Sequence, residues 1–167
     1  MTLEPFDPAS LPQLMQWFQD ARSLSVWGGP QFRWPFTPDT FRTDAGIDSA
    51  SSWMVLDEAS QRLLAFGQYY DRIGRCHLAR LAVAPEARGR GVGTHLIREL
   101  CRRGAAELGP REFSLFVLVR NEPATLLYRR LGFEPVTYPA PMPISEPVLY
   151  MVAAGAAAEA LRAPTSV

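Results

Sequence analysis

Apolar residues at Leu11, Leu14, Met15, Phe18 and Leu24 recur at close to helical spacing and predict a first helix over residues 10–24. Thr37-Pro38-Asp39 offers a capping hydroxyl with proline at the first helical position, the start of a short second helix. Residues 53–56 and 63–70 are short apolar runs separated by the polar turn 57–61, which predicts a β-hairpin. A third strand over 76–83 is stopped by Pro85. From Val92 the period changes. Leu96, Ile97, Leu100, Cys101, Ala105 and Leu108 share a helical face with Val92, while Arg98, Glu99, Arg102, Arg103 and Glu107 fall elsewhere. That amphipathic helix is expected to end near Gly109-Pro110.

Residues 113–119 are almost continuously apolar, as in a strand covered on both faces. Asn121-Glu122-Pro123 opens another helix, which Gly132 closes. Residues 136–138 and 148–152 are expected to be the last two strands, joined by the proline-rich stretch 139–143. The alanine-rich tail, 153–167, reads as either a loose helix or a frayed end, leaving residues 1–152 as one domain. The pattern is that of an α/β protein with a mixed sheet and helices on both faces.

Composition narrows the function. The chain has 167 residues, 47% of them apolar and 20% charged, which suits one globular domain. All 17 basic residues are arginine, so a Walker phosphate loop, which needs a lysine, is excluded. Formal net charge is zero, which argues against nucleic acid or an anionic membrane as partner. Cys76 and Cys101 lie in apolar segments and read as reduced, buried thiols of a cytoplasmic protein. The acidic, proline-interrupted N-terminal stretch does not read as a signal peptide, and no apolar run is long enough for a membrane span. Nothing suggests a metal site.

The chemistry is concentrated between the third strand and the helix at Val92. There Arg88-Gly89-Arg90-Gly91-Val92-Gly93-Thr94 places glycines at alternate positions, so that backbone amides can face a ligand without an intervening Cβ. With the positive end of the helix, such amides form a cradle for a diphosphate. The spacing is not that of dinucleotide folds, and no acidic ribose-binding residue follows at the required distance. A second block, Asn121 through Phe133, follows about thirty residues later.

Together the two blocks resemble the GNAT (Gcn5-related N-acetyltransferase) family. Arg88-x-x-Gly91-x-Gly93 fits its Arg/Gln-x-x-Gly-x-Gly/Ala signature, and residues 121–133 fit its Asn-x-x-Ala-x-x-Leu-Tyr-x-x-x-Gly-Phe helix. The resemblance is good over residues 63–133 and only in outline elsewhere. It implies a mostly antiparallel sheet whose central strand pair splays to bind CoA, and acetyl transfer from acetyl-CoA to a primary amine. Leu81, Ala82 and Val83 match the strand that pairs with the pantetheine arm, and Arg88, Gly89, Arg90, Gly91, Val92, Gly93 and Thr94 the diphosphate loop. Asn121 matches a residue that hydrogen-bonds the arm, and Tyr128 the general acid beside the CoA sulfur. Asn121 also suits a helix N-cap, and Tyr128 a half-buried core aromatic.

The base is less evident. Where ribosomal-protein acetylases of the family carry a glutamate, this chain has Phe116; where the histone-acetylating branch does, it has His77. Histidine titrates near neutrality, so His77 is the candidate base, with a structural role and an ordered-water route as alternatives. Asp71 and Glu146 are further carboxylate candidates without an assigned place, and His95, in the first turn of the helix from Val92, reads as packing or solvent-facing. On the acceptor side the resemblance points to residues 27–36 and 138–147, where Trp27, Phe32, Trp34, Phe36 and Tyr138 either stack on the acceptor or fold onto the core. With no acidic cluster there, a peptide amine or small mono-amine is favoured over a polyamine. The expected assembly is a monomer or homodimer. A GNAT-fold module that senses acyl-CoA without catalysis is the competing reading.

Overall fold

The computed structural model describes residues 1–109 and 112–164. Pro110, expected to close the helix from Val92, and the last three residues of the tail lie outside the described residues. The strands form a mixed sheet in the order β1-β2-β3-β4-β5-β7-β6. They are β1 (Thr2–Pro5), β2 (Ser51–Leu56), β3 (Leu63–Arg72), β4 (Arg75–Val83), β5 (Phe113–Leu118), β6 (Glu134–Pro135) and β7 (Val148–Ala153). The helices are α1 (Leu11–Met15), α2 (Ala21–Gly28), α3 (Pro38–Asp44), α4 (Val92–Leu108), α5 (Glu122–Arg130) and α6 (Gly155–Arg162). Contacts divide the chain into two compact units, Met1–Tyr69 with Arg80–Ile97, and Tyr70–Ala79 with Arg98–Val167.

In the first unit β1 pairs antiparallel with β2, and β2 with β3. A core of Leu14, Leu24, Phe41, Met54, Leu63 and Phe66 joins the three short helices to the strands. The helix expected over 10–24 is two helices. Asp20 accepts a hydrogen bond from the Ser23 amide at 2.7 Å and Ser23 caps in return, so a capping box starts α2 afresh. Phe18 stays buried in the link, so the spacing had found its burial but not the break. Thr37 caps α3 through the Thr40 amide, with Pro38 in the first turn, as the sequence predicts. β1 is a further strand that the sequence pattern did not reveal. It is mostly exposed and ends in proline, which an edge strand tolerates.

In the second unit β5 pairs in parallel with β4 over Cys76–Leu78, and antiparallel with β7 over its whole length. β6 is the dipeptide 134–135, not the segment 136–138. Val136 adds one more bond to the Tyr150 carbonyl before the chain leaves the sheet. The alanine-rich tail contains a packed helix, α6, with Ala158 and Leu161 fully buried. Close approach at α6 requires a glycine. A Cβ on Gly132, which has φ +87°, would lie 2.6 Å from that of Ala157.

Candidate active site

Within the first unit, β4 runs through a single 3₁₀ turn at Pro85–Ala87 into the glycine loop and then α4. Gly89 and Gly91 have φ of +73° and +81°, a left-handed conformation costly for any residue with a Cβ. Apart from the chain neighbours, no atom of the described residues stands within 4 Å of where either Cβ would be. The glycines therefore serve the backbone conformation and leave open ground above it, as a cradle for a bulky anion requires. Residues 88–91 are exposed, and the His95 amide makes the bond to the Gly91 carbonyl that opens the helical ladder. The amides before it, in the first turn, have no carbonyl within the helix and sit at its positive end. Arg88 Nε donates to the Val83 carbonyl at 3.2 Å, tying the loop to the end of β4. Loop and helix end together have the backbone geometry and polarity to hold a diphosphate.

Just upstream, Arg80 has φ +50° within β4, immediately before Leu81, Ala82 and Val83. The conformation is held by side-chain bonds. Arg80 donates to Gln68 Oε1 at 2.9 Å and the Asp44 carbonyl at 3.4 Å, and its guanidinium lies over Phe32. Gln68 is fully buried and donates in turn to the Ala45 carbonyl and Ser52 Oγ. Sequence reasoning missed Arg80, because an arginine in an alternating strand reads as a solvent-facing residue.

Within the second unit, Asn121 follows β5 and caps α5, its Oδ1 accepting from the Ala124 amide. Its amide nitrogen remains to donate elsewhere. Tyr128 lies two turns on, 8% exposed, with its ring edge-on to Phe133. Burial pushes its phenol up to about 12.

His77 is 2% exposed, bonds Ser114 Oγ through Nδ1 at 2.9 Å, and sits among Tyr70, Phe116 and Tyr150. Desolvation, helped by the charge of Arg72, pulls its pKa down to about 3. An imidazole so placed is a packed, neutral group with a poor affinity for protons. Glu146 bonds Arg120 at 3.4 Å, Asp71 is exposed, and His95 is half-buried in the first turn of α4.

The aromatic residues expected at the acceptor do not form one wall within either unit. Trp27 stacks on Phe18 and Phe41 at 4.4 and 5.6 Å, with Phe32 at 5.3 Å, and both belong to the packing of the first core. A Cβ on Gly28 would meet the Phe32 ring at 2.2 Å, so glycine is what lets that loop fold down. Trp34 is 43% exposed and touches Phe36. Tyr138 belongs to the second unit, where its ring stands edge-on to Tyr150 and its hydroxyl accepts from Arg72 at 3.1 Å.

A family model described as "Acetyltransferase (GNAT) family" matches residues 11–133. A putative [ribosomal protein bS18]-alanine N-acetyltransferase of Bacillus subtilis (strain 168) is 30% identical over 107 residues, 62% of this chain and 68% of that one. Among solved structures, spermidine N-acetyltransferase from Vibrio cholerae in complex with CoA and spermine is 21% identical. It superposes with a TM-score of 0.69 over 90% of this chain and 93% of that one. A chimera of that enzyme with hSSAT gives the same TM-score at 17% identity, over 96% of both chains. At these identities the structural likeness is one of fold.

Proposed function

Because the chain belongs to the acetyltransferase (GNAT) family, whose members draw the acetyl group from acetyl-CoA, we propose that it delivers that group to a primary amine by direct attack in a ternary complex. The observation that carries the proposal is the open glycine loop at the start of α4. Acetyl-CoA supplies an activated thioester. The backbone of Leu81, Ala82 and Val83 receives its pantetheine arm, and the amides of residues 88–94 its diphosphate. Asn121 divides its carboxamide, the oxygen capping α5 and the nitrogen free to donate to the arm.

The acceptor nitrogen bonds the acetyl carbon, and the carbon–sulfur bond breaks. The departing sulfur takes the proton of Tyr128, and the phenolate left behind regains one from water before the next turnover. The proton shed by nitrogen goes to water, because His77 is buried and holds protons poorly. The Bacillus relative is named for an alanine of ribosomal protein bS18 and the Vibrio structure for spermidine, two acceptors of different size.

The test is release of CoA thiol from acetyl-CoA against a panel of amines, with the N-acetyl product identified by mass. Amine-dependent release with one product per acceptor is expected. Tight acetyl-CoA binding with no product from any amine would replace this reading with that of an acyl-CoA sensor.

A further inference from the structure

We propose that Arg72, framed by the hydroxyls of Tyr70 and Tyr138, is an anion-receiving subsite that selects acceptor amines bearing a carboxylate. The inference rests on the acetyltransferase reading and adds the chemistry of the acceptor.

The guanidinium is half-buried, and its protein partners are all neutral. It donates to Tyr138 Oη and Tyr70 Oη, each at 3.1 Å, and lies over the rings of Tyr70 and Phe116 at 5.5 and 5.3 Å. No carboxylate pairs with it among the described residues, whereas Arg33, Arg42, Arg62, Arg75 and Arg120 are each paired with one. Its Nε is shut off from water without a hydrogen-bond partner. Ring faces and phenol oxygens offset the desolvation of a cation less well than a carboxylate does. The charge is therefore left for something else to neutralise. Each phenol that accepts from Arg72 keeps its own O–H to donate. Guanidinium and hydroxyls thus offer hydrogens together, the polarity that suits a carboxylate and repels a second ammonium.

The sheet places this cluster on one defined face. His77 and Ser114 are opposite in register and bonded to each other, so Phe116, two residues on, shares their face, and Tyr150 is paired with Phe116. Cys76 faces the other way, toward Cys101 of α4. The Arg72 cluster therefore lies on the face turned away from α4. Phe116 is the first residue of β5 beyond its ladder with β4, which ends at Leu78 and Leu115.

Matched acceptors test this in the wild-type protein: free L-amino acids, their amides, spermidine, and short peptides with an acidic or a neutral second residue. Carboxylate-bearing amines are expected to exceed their amides at least tenfold in kcat/KM, mainly through KM, and the peptide arms show whether the carboxylate is that of a free amino acid or of a side chain. Arg72→Met, which keeps the bulk over the rings, should bring that ratio close to one. If Arg72→Met does not fold, Tyr138→Phe removes one donor while keeping the ring, and should lower the ratio several-fold. Acetylation of amides or spermidine on a par with the acids overturns the inference and leaves the acetyltransferase reading standing. So does a loss in Arg72→Met that falls equally on both classes. No acetylation in any arm overturns both.

Discussion

Tyr128 and His77 are both buried, and burial acts on them in opposite senses. Desolvation disfavours phenolate and imidazolium alike, raising one pKa to about 12 and lowering the other to about 3. The tyrosine stays protonated across the neutral range, as any phenol does, and burial makes it a weaker acid than an exposed one. Tyr128→Phe keeps the ring against Phe133, so turnover should fall roughly ten- to a thousandfold with CoA affinity little changed. An unaltered turnover number in a chemistry-limited assay would remove Tyr128 from the mechanism. For His77 the consequence is one of stability. Its folded pKa lies below the unfolded value near 6.5, so the unfolded chain binds the extra proton and folding weakens as pH drops through that window. The wild type should lose about 1.4 kcal/mol per pH unit between 6.5 and 3 relative to His77→Phe, and nothing above 6.5. Parallel denaturation curves for the two proteins across that range would show a charged or solvated imidazole instead.

The glycine loop and α4 act as one element, and Gly91 separates their conformational from their ligand-binding demands. With φ +81° and open space at its Cβ, Gly91→Ala should cost only about 1–2 kcal/mol of backbone strain. Gly91→Asp adds a carboxylate at the proposed diphosphate position and should lower CoA affinity at least tenfold beyond Gly91→Ala. Equal affinities by calorimetry would detach the loop from the cofactor. This element was legible in the sequence because left-handed backbone leaves its mark as glycine. Helix α4 was legible because one buried face imposes a period of 3.6, and the β2–β3 hairpin because a polar turn separates two apolar runs. What remained hidden depends on side-chain bonds with no period. The capping box that divides α1 from α2 and the bonds that hold Arg80 are of this kind. The place of Trp27 and Phe32 in the first core was hidden for another reason: aromatic residues suit a core and a binding surface equally well. Gly132, read as a helix stop, also admits α6, so Gly132→Ala should destabilise by about 1–3 kcal/mol through contact with Ala157.

Across the whole molecule, the two units differ in how they are completed along the chain. No helix among the described residues is long and apolar enough to cross a membrane. The alanine-rich tail contributes to packing through α6. Removing residues 155–167 exposes what Leu161 and Ala158 cover in the second unit, about 2–3 kcal/mol or roughly 5–10 °C of melting temperature. An unchanged melting curve would return α6 to the status of an appendage. Strand order has a consequence for synthesis. All residues of the first unit have left the ribosome's catalytic centre by Ile97. In the second, β7 lies between β5 and β6 yet is translated last of the three. Until Ala153 has emerged, the Phe113–Leu118 edge that β7 will cover stands open, six residues of high β-propensity and mostly apolar. The nascent chain thus carries an open apolar edge until β7 has been made, and chains arrested before Val148 should be the ones that chaperones retain.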